Sequence, residues 1–135
     1  MNKEYISNTK LIYYDKYGKE AQIIKSNFKK IISYVNELWG INPKKIKIYI
    51  SKSTFLFILL TSKWYKKIFL LLFSPLYYLK NKKKWDCFMG ASRTEISSIL
   101  LKPMEVYSRL NTSVGKLIFK NESDNETKLI TTLCH

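Results

Sequence analysis

Ala21, Ile24, Phe28, Ile31, Ile32, Val35, Leu38 and Trp39 recur at steps of three and four. At 3.6 residues per turn that spacing forms one apolar stripe, so it predicts a helix of about 20 residues beginning near Lys19. Gly40 follows the last periodic position, and Asn42-Pro43 cannot continue a helix, so its end is marked twice. Ahead of it, Lys10 to Tyr14 reads as a short strand. After the turn, Lys45 to Ser51 alternates strictly. Ile46, Ile48 and Ile50 fall on one face, and Lys45, Lys47 and Tyr49 on the other, the pattern of a strand.

Ser53 or Thr54 can cap a following helix predicted over Phe55 to Tyr65. A second apolar stretch, Ile68 to Leu79, is interrupted at Pro75 and closed by Lys80-Asn-Lys-Lys-Lys84; helix and strand both suit this region. Trp85 to Met89 and Glu95 to Leu101 read as two strands of a hairpin around a turn at Gly90 to Thr94, ended by Lys102-Pro103. Residues 104–120 are weakly patterned, with Lys116 to Phe119 as a short extended piece. Ser123 and Glu126 then form a capping box for a last helix carrying Leu129, Ile130 and Leu133. That helix reaches His135 after two to three turns without Gly, Pro or a basic last turn. The expectation is a chain cut within the helix, leaving its apolar face unpartnered and prone to aggregate. The elements add up to an α+β fold over residues 1–135 as a single domain. A small mixed sheet is combined with a long N-terminal helix, further helices and a β-hairpin, ending in an incomplete helix.

Composition narrows the class. The chain has 135 residues, 46% of them hydrophobic and 15% aromatic, enough for a collapsed core and too many for a disordered chain. Its 22 lysines and 2 arginines against 10 acids give a net charge of +14. No acidic residue lies between Glu37 and Asp86, where 11 of the lysines fall. Interleaved with Trp64, Tyr65, Tyr77, Tyr78 and Trp85, this segment has three readings. It can bind single-stranded nucleic acid through phosphates and stacking. It can lie on an anionic membrane through the Ile68 to Leu79 run. Or it is a solvated face over core aromatics. The scarcity of arginine argues against specialised base or phosphate reading.

Cys87 and Cys134 are too few for a disulfide framework and have no metal-binding spacing. The N-terminus lacks the basic-then-apolar pattern of a signal peptide, and the run of 12 residues from Ile68 to Leu79 is too short to span a bilayer, so a cytoplasmic location is expected.

Four segments carry a family likeness: Tyr14 to Ala21 opening the long helix, Pro43 to Ile50, Met89 to Ile96, and Leu129 to His135. In order and type they resemble the N-terminal half of gluzincins, the thermolysin-like (peptidase MA-like) zinc metallopeptidases. In that family the helix after the hairpin carries H-E-x-x-H. Two histidines at i and i+4 share a tetrahedral zinc, and the Glu activates the bound water. The resemblance implies that His135 is the first zinc ligand. It also implies that Gly90, Ala91 and Ser92 belong to a rim strand pairing with an extended peptide substrate, a role an ordinary hairpin turn would not have. The Glu, the second His and the third ligand are absent. The expectation is therefore a catalytically inactive fragment, with zinc and a peptide or protein substrate belonging to an intact relative. The opposing view of His135 is a lone solvated imidazole. Cys134 beside it is a poor nucleophile partner, because adjacent helical residues point about 100° apart. Asp86 and Glu95 are expected to be solvated carboxylates. The alternative function is a lysine-rich binding module for an anionic membrane surface or single-stranded nucleic acid, binding weakly and nonspecifically.

Overall fold

Leu11, Ile48, Ile50 and Leu101 are almost wholly withdrawn from water, and they come from three strands that run parallel. The structure is a computed structural model that describes residues 1–40, 45–86, 90–107, 129–130 and 132–133, with 82–86 and 107 described by backbone alone. Its five strands are β1 (Asn2–Ile6), β2 (Thr9–Tyr13), β3 (Lys47–Ile50), β4 (Gly90–Arg93) and β5 (Ser98–Leu101). They form one sheet in the order β1-β2-β3-β5-β4, parallel across β2, β3 and β5 and antiparallel at both edges. The helices are α1 (Gly18–Trp39), α2 (Thr54–Thr61), α3 (Trp64–Leu72), α4 (Ser74–Asp86) and the single turn α5 (Met104–Tyr107). The fold is α+β with a mixed sheet, as the sequence pattern predicts.

The predicted stripe becomes α1, which buries Ala21, Ile24, Phe28 and Ile31, half-buries Ile32 and Val35, leaves Leu38 and Trp39 of the predicted stripe exposed in its last turn, and ends at Gly40. Gly40 has φ 61°, the left-handed region glycine enters without a Cβ penalty, and its N–H donates to the Asn36 carbonyl at 2.8 Å. The alternation in β3 also holds. Ile48 and Ile50 join the α1-side core and Ile46 packs against it. Tyr49 points to the opposite face, where its ring meets Phe57 of α2 edge-on at 5.4 Å. Register carries the two faces across the sheet. Tyr13, Ile50, Leu101 and Gly90 form one row, and Ile12, Tyr49, Leu100 and Ala91 the neighbouring row on the other face.

Polar pins hold the helix layer on the first face. The Glu20 carboxylate on α1 is buried and accepts the Met104 N–H at 3.1 Å, tying α1 to the chain leaving β5. The Lys102 stem is buried as well, and its ammonium donates to the Lys52 carbonyl at 2.5 Å. Glu4 on β1 accepts the Tyr13 hydroxyl and pairs with Lys25 of α1, linking three elements. That pairing, first with Lys25 and then with Tyr13, holds the Glu4 carboxyl below its ordinary range, while Glu4 raises Lys25 and Tyr13 above theirs.

Four expectations are corrected. Strand β1 has no counterpart in the predicted elements. It is an edge strand, closed onto β2 by the two-residue turn Ser7-Asn8 with Ser7 at φ 54°, and none of its five residues is buried. The helix predicted over Phe55 to Tyr65 stops at Thr61. Ser53 caps it by accepting the Leu56 N–H at 3.1 Å, and at the far end the hydroxyls of Thr61 and Ser62 bond back to Phe57 and Ile58 carbonyls at 2.7 and 2.5 Å. These bonds occupy the acceptors at the end of the last turn. A new helix, α3, then begins at Trp64, and Pro75 sits in the first turn of α4, where its missing N–H costs least. The hairpin is shifted. Trp85-Asp86 closes α4, and Gly90 to Arg93, read as the turn, is itself the strand that pairs with β5. The actual connection is a 3₁₀ turn at Thr94–Ile96 and Ser97 at φ 47°.

The fourth correction concerns the end of the chain. Residues 129, 130, 132 and 133 are helical, and Leu129 and Leu133 are buried in the same core as Ile24, Ile50 and Leu101 rather than left bare. The capping box at Ser123 and Glu126, the extended piece at 116–119 and Asn42-Pro43 lie outside the described residues.

Two measurements check this account. Leu129→Ala removes a side chain with no exposure, so it is expected to lower unfolding free energy by about 2–5 kcal/mol in urea titration; a loss near zero would mean the C-terminal helical residues do not belong to the core. For Glu4, folding lowers the proton affinity of its carboxyl. Its contribution is complete above the ordinary carboxylate range and disappears as pH falls through the lowered folded value. The stability gap between wild type and Glu4→Gln should therefore shrink between about pH 7 and pH 3 in parallel urea titrations.

Candidate functional site

The two pieces carrying the predicted chemistry, the rim strand and the last helix, meet at Gly90. The Tyr13-Ile50-Leu101-Gly90 row faces α1 and the C-terminal helical residues. A Cβ built at Gly90 would lie 2.9 Å from the Thr132 methyl and 3.0 Å from the Leu100 carbonyl oxygen. The first is shorter than real Cβ contacts, so something must shift, and the second is a tight contact with backbone, which cannot rotate away as a side chain does. Gly90 is thus required by the close approach of helix and strand. Nothing in the sequence pairs position 90 with position 132, and a glycine between polar residues reads as a turn.

Of the rim residues, Gly90 and Ala91 are half-buried and Ser92 is exposed. Strand β4 is the terminal strand of the sheet, so its hydrogen-bonding edge away from β5 is paired with no other strand among the described residues. Such an edge can accept an extended chain.

Strand β4 also borders a groove on the opposite face. Ala91 and Arg93 form one wall, and Phe57, Ile58, Phe69, Leu70 and Tyr77 of α2 to α4 form the rest, enclosing about 590 Å³. Arg93 is held there: its Nη1 donates to Thr61 Oγ1 at 3.0 Å and Ser62 Oγ at 3.5 Å, and Glu95 lies 3.8 Å from Nη2. The Thr54 hydroxyl lines the same groove, buried and without a hydrogen-bond partner among the described residues. Arg93 and Thr54 do not stand out in the sequence as site residues, because their role depends on α2 being packed against the rim strand.

His135, the predicted first zinc ligand, lies outside the described residues, as do Cys134 and Cys87, and so does the Asp86 side chain. Glu95 is exposed beside Arg93. Among the described residues no group of three or more His, Cys, Asp or Glu side chains converges in a way that could hold a metal ion.

No family model matches the sequence, and neither the curated proteins nor the solved structures contain a match.

The close approach at Gly90 is testable. Gly90→Ala must displace either the Thr132 helix or strand β5 and is expected to cost about 1–3 kcal/mol of stability in urea unfolding. Gly18→Ala, where a Cβ meets nothing within 4 Å, serves as the control and should not show this loss.

Proposed function

We propose that the chain is the sheet-bearing part of a gluzincin-like zinc metallopeptidase scaffold, without hydrolytic activity of its own. One observation carries the reading: helical residues 129, 130, 132 and 133 are anchored in the core by Leu129 and Leu133 and pressed through Thr132 against Gly90, on the open edge strand of the sheet. A helix in that position would set a metal ligand beside a strand whose free edge can pair with a peptide backbone. Supporting it is the element order, long helix, alternating strand, helical segment, antiparallel hairpin and final helix.

The reading requires that helix to run on through His135. It also requires a Glu and a second His in the spacing H-E-x-x-H, neither of which the 135 residues supply. The residues present therefore do not make up a catalytic zinc site. With one imidazole and no converging ligand group among the described residues, this chain is assigned no step of peptide hydrolysis. In an intact relative the metal would polarise a peptide carbonyl and acidify a bound water, with the Glu as general base. Here the contribution of the chain is confined to positioning: a buried helix, a glycine that admits it, and an edge that aligns substrate. Among the described residues no helix is long and apolar enough to cross a membrane.

Reading the coding DNA beyond codon 135 tests the idea directly. Glu-x-x-His is expected immediately downstream in one reading frame, and its absence from all three frames would sink the proposal. Zinc titration of the purified chain is expected to show weak binding at most; a tight stoichiometric site would overturn the ligand assignment.

A further inference from the structure

Helices α3 and α4 display side chains that soluble folds ordinarily hide. Trp64, Ile68, Leu71, Leu72, Leu76 and Leu79 are each more than half exposed, and from α3 only Leu70 is buried. At the junction the Phe73 N–H donates to the Phe69 carbonyl, closing α3, and the Phe73 carbonyl accepts the Tyr77 N–H, opening α4, both at 3.0 Å. Leu72, the last residue of α3, and Leu76, in the first turn of α4, are both exposed beside that junction. Lys63 and Lys66 at one end and Lys80 at the other are exposed, Lys82, Lys83 and Lys84 continue α4, and no acidic residue interrupts the segment before Asp86. Large apolar side chains left in water in this number mark a binding face.

We propose that the α3–α4 face docks onto an anionic lipid bilayer, with the aliphatic side chains inserted below the headgroups and the lysines contacting lipid phosphates and carboxylates. Charge complementarity selects this partner. Lysines flank the apolar segment at both ends, where their long stems can reach the headgroup plane while the segment between them enters hydrocarbon. The lengths agree: nine and thirteen residues at 1.5 Å each make helices of about 14 and 20 Å, too short to cross ~30 Å of hydrocarbon but suited to lying in the interface. Single-stranded nucleic acid fits less well, since the most exposed residues at the turn are leucines, which offer bases no ring to stack on.

Cosedimentation with phosphatidylcholine vesicles, with and without phosphatidylserine, tests the face on the full chain. Wild type is expected to bind the phosphatidylserine vesicles, to be released by salt, and to show a blue shift in emission that Trp64→Phe diminishes. Leu72→Glu/Leu76→Glu should lower the partition coefficient roughly tenfold or more. Lys63→Glu/Lys66→Glu should do the same by charge alone, so the face is tested twice by surface changes whose unaltered far-UV circular dichroism shows intact folding. Equal binding to pure phosphatidylcholine, vesicle binding indifferent to both double variants, or retention on single-stranded DNA without vesicle binding would each overturn the proposal.

Discussion

Parallel strands β2, β3 and β5 hydrogen-bond in register through Leu11, Ile48 and Ile99 on one face and Ile12, Tyr49 and Leu100 on the other. A parallel ladder cannot be closed by a tight turn, and its strands are stable only when both faces are covered. Every larger feature follows from that requirement. The chain must leave β2 and return alongside it, which it does through α1. It must then leave β3 and return through α2, α3 and α4 before β5 can pair. The two crossovers supply the two covering layers, and the antiparallel strands β1 and β4 are left as the edges.

The two layers differ in quality. The α1 side is deeply packed: Ile24 of α1 and Leu129 of the C-terminal helical residues are fully buried, and the buried Glu20 carboxylate has a hydrogen-bond partner in the Met104 N–H. On the other side α2 seals the middle of the sheet through Phe57, but α3 contributes a single buried leucine and α4 lies outside it. The groove beside Arg93 and the bare leucines of α3 and α4 are two consequences of this looser layer. The proposed metallopeptidase-like role concerns the first face and the proposed lipid-docking face the second, so the two proposals stand on separate parts of the molecule.

Local signals were legible where one element decides its own fate. The helix of α1 and its stripe from Ala21 to Val35, its glycine stop at Gly40, the alternation of Ile46, Ile48 and Ile50, and the Ser53 cap appear in the structure as read, because each depends on neighbours within a few residues, whereas Leu38 and Trp39 continue the stripe in sequence but stay exposed. The hairpin was displaced because Gly90-Ala-Ser-Arg93 has poor strand propensity, and only pairing with Ser98–Leu101 makes it a strand. Strand β1 escaped notice for the same reason: Asn2 to Ile6 is polar and lies at an edge, and β2 recruits it.

The sequence by itself determined the class of fold, the identity of the long helix and central strand, and the concentration of lysine around an apolar middle. These follow from periodicity and composition, which act over one or two turns of chain. Tertiary structure alone decided that Leu129 and Leu133 are core, that Gly90 must lack a Cβ because Thr132 lies against it, and that Leu72 and Leu76 face outward while Leu70 does not. Each of these depends on which surface a helix turns toward a sheet assembled from strands up to about ninety residues apart, and no local pattern of apolar residues specifies that choice.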